Sequence, residues 1–72
     1  MNPKNANALN NRGNVKKAKG DLDGAITDFT KAIEINPKIA LIYQNRADAR
    51  KAKGDAAGAE ADLKSAAELN AR

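Results

Sequence analysis

The sequence predicts an all-α protein built as two tandem antiparallel helix-turn-helix hairpins, and three observations carry that reading. First, the chain repeats itself. At an offset of 34 positions Asn2-Pro3-Lys4 falls on Asn36-Pro37-Lys38, Asn11-Arg12 on Asn45-Arg46, Gly24-Ala25 on Gly58-Ala59, and Asp28, Ala32 and Glu34 on Asp62, Ala66 and Glu68. Second, the pentapeptide Lys-Ala-Lys-Gly-Asp stands at Lys17–Asp21 and again at Lys51–Asp55, each time between two stretches of helical periodicity. Third, the apolar residues are almost all Ala, Leu, Ile and Val, with one Phe, one Tyr and no Trp. Such a core gains more from close approach of small side chains than from area, which suits neighbouring helices.

The first element rests on Ala8, Leu9, Gly13 or Arg12, and Val15 to Lys16, which recur at helical spacing. Gly20 can take the left-handed conformation that closes it, and Lys19 lies at its C-terminus, where positive charge is favoured. The second element starts on Asp21, whose carboxylate can accept from the free N–H groups of the next turn. It continues through Leu22, Ala25, Ile26, Phe29, Ala32, Ile33 and Ile35, a clear amphipathic pattern, and stops at Asn36-Pro37. The second unit repeats the scheme, with a helix over about 40–53 and another over about 56–69. Gly13 and Ala47, Ala25 and Ala59, and Ala32 and Ala66 stand where helices have to approach closely. The pentapeptide itself is a hairpin turn and not a phosphate loop, because such a loop follows a strand and carries Gly-Lys-Ser/Thr.

Composition narrows the function. A chain of 72 residues forms one domain of marginal stability. With no Cys and no His, disulfides, thiolate metal sites and the commonest general base are missing, so no enzyme, cofactor or metal site is expected. Asp21, Asp23 and Asp28 are not read as a metal site, since carboxylates at a helix start are favoured by the dipole. No apolar leader or membrane-length run is found, and a soluble, cytoplasmic protein is the expectation. The net charge of +4 comes from 13 basic and 9 acidic residues that are interspersed, and aromatic stacking platforms are lacking. Both facts argue against nucleic acid as the partner.

A 34-residue helix-turn-helix unit with Gly-Asp at its turn, Ala25 and Ala32 on one face, Phe29 between them and Pro37 at its end resembles the tetratricopeptide repeat. The resemblance spans the whole chain, as repeat 1 over about 6–39 and repeat 2 over about 40–72, and implies a fragment of a right-handed α-solenoid. It sets Leu9 at the family's Trp, Gly13 at its small residue, Lys16 at its Tyr, and Ala25, Phe29 and Ala32 at its Ala, aromatic and Ala. The second copy reads Tyr43, Ala47, Arg50, Ala59, Leu63 and Ala66, with Ala71 in place of Pro. The family's buried Leu and Tyr of the first helix are replaced by Arg12 and Lys16, and again by Arg46 and Arg50. Because Asp28 and Asp62 recur on the facing helix, the pairs Arg12 with Asp28 and Arg46 with Asp62 are expected.

The resemblance also implies a non-enzymatic protein-interaction module that holds a peptide segment in a groove lined by the first helix of each repeat. Carried over, the groove positions are Asn7, Asn10, Asn11, Asn14 and Lys17 in repeat 1, and Leu41, Gln44, Asn45, Asp48 and Lys51 in repeat 2. Asn11 and Asn45 are candidates to hydrogen-bond a peptide backbone as donor and acceptor, or else to bond a neighbouring helix. Asn14 and Asn45 fall on two positions of the family's carboxylate clamp for chaperone tails. Asn10 replaces its first Lys and a third repeat is absent, so that clamp is not expected, although Lys17 and Lys51 can attract an acidic peptide weakly.

Repeat arrays generally need about three units. A two-unit chain therefore points to an excised or engineered fragment, or to a structural unit that associates with itself through its open ends. The last helix is softened, with Ala56, Glu60 and Ala67 where the first repeat has Leu22, Ile26 and Ile33. In the run Ile39–Tyr43, Ile42 and Tyr43 are expected between the repeats. Leu41 is expected on the groove, as a contact patch for a peptide or for another copy.

Overall fold

Four helices follow one another in the computed structural model, which describes residues 5–72: α1 (Ala6–Ala18), α2 (Leu22–Ile35), α3 (Ala40–Lys53) and α4 (Ala56–Asn70). The predicted match of Asn2-Pro3-Lys4 to the second unit lies outside the described residues. The turns close by the chemistry read from the sequence. Gly20 and Gly54 are left-handed, at φ of 85° and 96°. The Asp21 and Asp55 carboxylates accept from Gly24 N at 3.0 Å and Gly58 N at 2.9 Å, satisfying donors at the start of α2 and α4. The two hairpins differ at their entries: Asn5 caps α1 by accepting from Ala8 N at 3.2 Å, whereas Ile39 leaves α3 without a side-chain cap.

Successive helices pack, α1 on α2, α2 on α3 and α3 on α4. The core sits in the first hairpin and its junction with α3, where Leu9, Phe29 and Ile42 meet Ala6, Ala25, Ala32 and Ala49. Leu22, Ile26, Ile33 and Ile39 close its margin. The second hairpin contributes buried alanines, Ala47, Ala59 and Ala66, as expected of helices meeting through small residues. Gly13 shows how close that approach is, since a Cβ there would stand 2.6 Å from the Phe29 ring. Gly13→Ala should therefore cost about 1–2 kcal/mol by overpacking, in spite of the better helix propensity of Ala, and a lowered denaturant midpoint in circular dichroism would record it.

Two apolar residues of the predicted helical patterns turn outward. Val15 is 53% exposed, on the side of α1 away from α2, although its repeat counterpart Ala49 is fully buried against α2. Ile35 is the last residue of its helix, past the turn that carries Ala32, and is 42% exposed. Ile42 is buried between the repeats as expected, and Tyr43 is half-buried.

The expected ion pairs form. Arg12 donates to both Asp28 oxygens, from Nε at 2.8 Å and Nη2 at 2.7 Å, and Lys16 Nζ stands 3.3 Å from the same carboxylate. Arg46 does the same to Asp62 at 3.0 and 2.7 Å, with Arg50 Nη1 at 3.0 Å. Both aspartates are almost wholly buried. A buried carboxylate is stable only when its lone pairs are met, and the forked guanidinium meets two of them in one plane. Arg46 also reaches across the repeat boundary, donating from Nη1 to Thr30 Oγ1 at 3.2 Å, and its guanidinium lies 5.8 Å from the centre of the Tyr43 ring. The polar replacements on α1 and α3 thus carry out part of the packing between helices.

Candidate functional site

Curvature decides which face of a helical array can hold a ligand. Among the described residues α1 touches α3, whereas α2 and α4 do not meet. Two hairpins drawn together along α1 and α3 and apart along α2 and α4 bend toward the α1/α3 side, so these helices form the inner face. The whole body is a slab of 31 × 26 × 15 Å.

The ten predicted groove positions on α1 and α3 divide into four groups. Asn10 is not free: it is buried, and its Oδ1 accepts from Asn45 Nδ2 at 2.8 Å. One of the two N–H donors of Asn45 is therefore already engaged by the neighbouring helix, which leaves the other and the carbonyl oxygen for other contacts. Lys17 and Asp48 face each other across the same seam, Nζ to Oδ2 at 3.8 Å, a loose pair with an exposed aspartate. Asn7, Leu41 and Lys51 are exposed, while Asn14 and Gln44 are half-buried. Leu41, at 55%, is the most exposed large apolar side chain of the described residues. Asn11 takes a different place, since it lines a hollow with Ala8, Arg12 and Val15 on the outward side of α1.

The inward turn of Asn10 had a signal in the sequence. Ala6, Leu9, Asn10 and Gly13 stand at i, i+3, i+4 and i+7, the stripe that a helix buries, so an amide in that stripe needs a partner on the next helix.

Electrostatics on the face are mostly internal. Arg12 and Lys16 neutralise Asp28, Arg46 and Arg50 neutralise Asp62, and Lys53 pairs with Asp23. The hydrogen bonds from Arg12, aided by Lys16, hold the Asp28 carboxyl below the usual carboxylate range against the opposing effect of burial, and the same bond raises Arg12. Among the described cations of α1, its C-cap and α3, Lys19 and Lys51 have no carboxylate within ion-pair distance. The three aspartates near the first turn serve separate partners, with Asp21 on the backbone of Gly24, Asp23 on Lys53 and Asp28 on Arg12 and Lys16. No helix among the described residues is long and apolar enough to cross a membrane.

Comparison with protein families gives two matches, both to models described as tetratricopeptide repeat, over residues 6–39 and residues 29–61. Comparison with curated proteins gives no match.

Proposed function

The chain belongs to the tetratricopeptide repeat family, whose repeats generally mediate protein–protein interaction, and from that premise we propose that its inner face binds an extended peptide segment of a protein partner. Repeat 1, about 6–39, and repeat 2, about 40–72, are the two units of the module. The observation that carries the reading is the bend toward α1 and α3, together with the side chains left available there. Asn7, Asn14 and Gln44 offer amides that donate and accept, as a peptide backbone requires. Leu41 offers an apolar contact beside them, and Lys51 supplies a cation for an acidic residue of the segment.

The test is a nuclear magnetic resonance titration of the chain with a peptide library of varied charge. Acidic peptides that carry one apolar residue should shift the amides of Asn7, Asn14, Leu41, Gln44 and Lys51. Leu41→Asp should weaken binding by roughly tenfold, equivalent to about 1.4 kcal/mol. Shifts confined to α2 and α4, or a Leu41→Asp variant that binds as well as the parent, would remove the proposal.

A second reading, a self-assembling structural unit, is supported by a separate observation: Val15 on α1 and Leu63 on α4 are half exposed at the two ends of the array.

A further inference from the structure

The two ends of this chain are related to its own interior. Within the chain α2 meets α3, and the core at this junction holds Leu22, Ile26, Phe29 and Ile33 of α2, Ile39 at the entry to α3, and Ile42 and Ala49 of α3, with Phe29 also lying against Gly13 of α1. The offset of 34 residues carries the α2 set onto Ala56, Glu60, Leu63 and Ala67 of α4, and the other set onto Asn5, the cap of α1, and Ala8 and Val15 within it. The burial difference follows the same mapping: Phe29 is fully buried and Leu63 is 51% exposed, Ala49 is fully buried and Val15 is 53% exposed. Each outward face also holds a hollow. That on α1 is about 420 Å³, between Ala8, Asn11, Arg12 and Val15. That on α4 is about 280 Å³, among Ala56, Ala59, Glu60 and Leu63, with Lys51 at its edge.

We infer that the outward face of α4 docks on the outward face of α1 of a second copy of this chain, head to tail, reproducing between molecules the junction that α2 and α3 make within one. The occupant is a second copy because the surface it offers continues an interface the chain already has, with an apolar knob and a hollow on each side. An arrangement of this kind is heterologous and does not close on itself, so association proceeds past the dimer to short stacks. It rests on the self-assembly reading above and not on the peptide site; of the residues assigned to the peptide, Lys51 alone borders this surface, at the edge of the α4 hollow.

The same mapping shows what keeps the contact weak. Inside the chain Arg46 donates across the junction to Thr30. Between copies Arg12 takes the place of Arg46 and meets Lys64, which occupies the position of Thr30. Two cations now face each other, and Glu60, one turn away, offsets them only in part. Ile42 is also replaced by Ala8, which leaves less apolar area to bury.

Sedimentation velocity on the full chain, from low micromolar to millimolar concentration, tests the inference with three proteins. The parent should sediment as a monomer when dilute and shift toward dimer and larger species when concentrated. Lys64→Thr, which restores the acceptor found inside the chain, should move that shift to concentrations about tenfold lower. Leu63→Glu should remain monomeric throughout, with unchanged helical content by circular dichroism. A parent that is monomeric at every concentration, a Lys64→Thr variant that associates no better, or a Leu63→Glu variant that still associates would each overturn it; in the first case these faces are closed by some other occupant.

Discussion

Phe29→Ala should leave the chain largely unfolded at room temperature, whereas Leu63→Ala, at the same position of the second repeat, should shift the melting temperature by only a few degrees. Phe29 is fully buried, and its ring meets Gly13 of α1 within a core that also draws on Ile42 of α3. Removing a buried aromatic ring loses its transfer free energy and leaves a cavity, together about 3–5 kcal/mol. A chain of this size has a total stability on the order of 4–10 kcal/mol, and the lower part of that range is expected of a core drawn from so few large apolar side chains. The loss is therefore comparable to everything that holds the fold. Leu63 is half exposed already, so its truncation removes little buried surface and opens no cavity, costing about 1 kcal/mol or less. Thermal melts of the two variants in parallel check the claim. Equal losses would mean that the two hairpins carry the core evenly, against the distribution of burial seen here.

What the sequence disclosed, and what it withheld, divides along the range of the interactions. Turns, caps and helix ends were legible because Gly20, Asp21, Gly54 and Asp55 act on backbone groups within a few residues of themselves. The Arg–Asp pairs were legible for a different reason: each occurs twice at the same separation, so a single helix-on-helix register explains both. The outward turn of Val15 was not legible, because within α1 it has the same apolar character as Leu9, and only the position of α2 separates them. Asn10, Asn11 and Asn45 looked alike as amides on one helix side. The packing of α3 on α1 gives Asn10 and Asn45 to each other and leaves Asn11 on the outward edge. The candidate groove residues lie along α1 and α3; Asn10 was marked as internal by its place in the stripe of Ala6, Leu9 and Gly13, while the division of the others into engaged and available groups depends on tertiary contacts.

The second large effect belongs to Asp28, and it depends on pH. In the folded chain the Asp28 carboxylate accepts two bonds from Arg12 and is approached by Lys16, and its pKa lies below the 3.8 of an ordinary aspartate. A group whose folded pKa is depressed binds its proton more weakly in the folded state than in the unfolded one. Its stabilisation is fully present above the unfolded value near 3.8 and disappears as the pH falls through the lower folded value. Asp28→Asn keeps the size and one acceptor oxygen but removes the charge, so at pH 7 it should cost roughly 2–3 kcal/mol, the range for hydrogen bonds to a charged group whose partners lose their acceptor. At a pH below the folded value the parent carboxyl is also neutral, and the difference between parent and variant should shrink toward zero. Urea denaturation of both proteins between pH 7 and pH 2 measures this. The parent should lose stability steeply on the acid side of pH 4, and the variant should show a flatter limb starting from a lower plateau. A variant whose deficit stays constant across that range would show that its cost comes from packing around the amide, with the ion pair contributing nothing, and would assign the position of Asp28 to shape and not to charge.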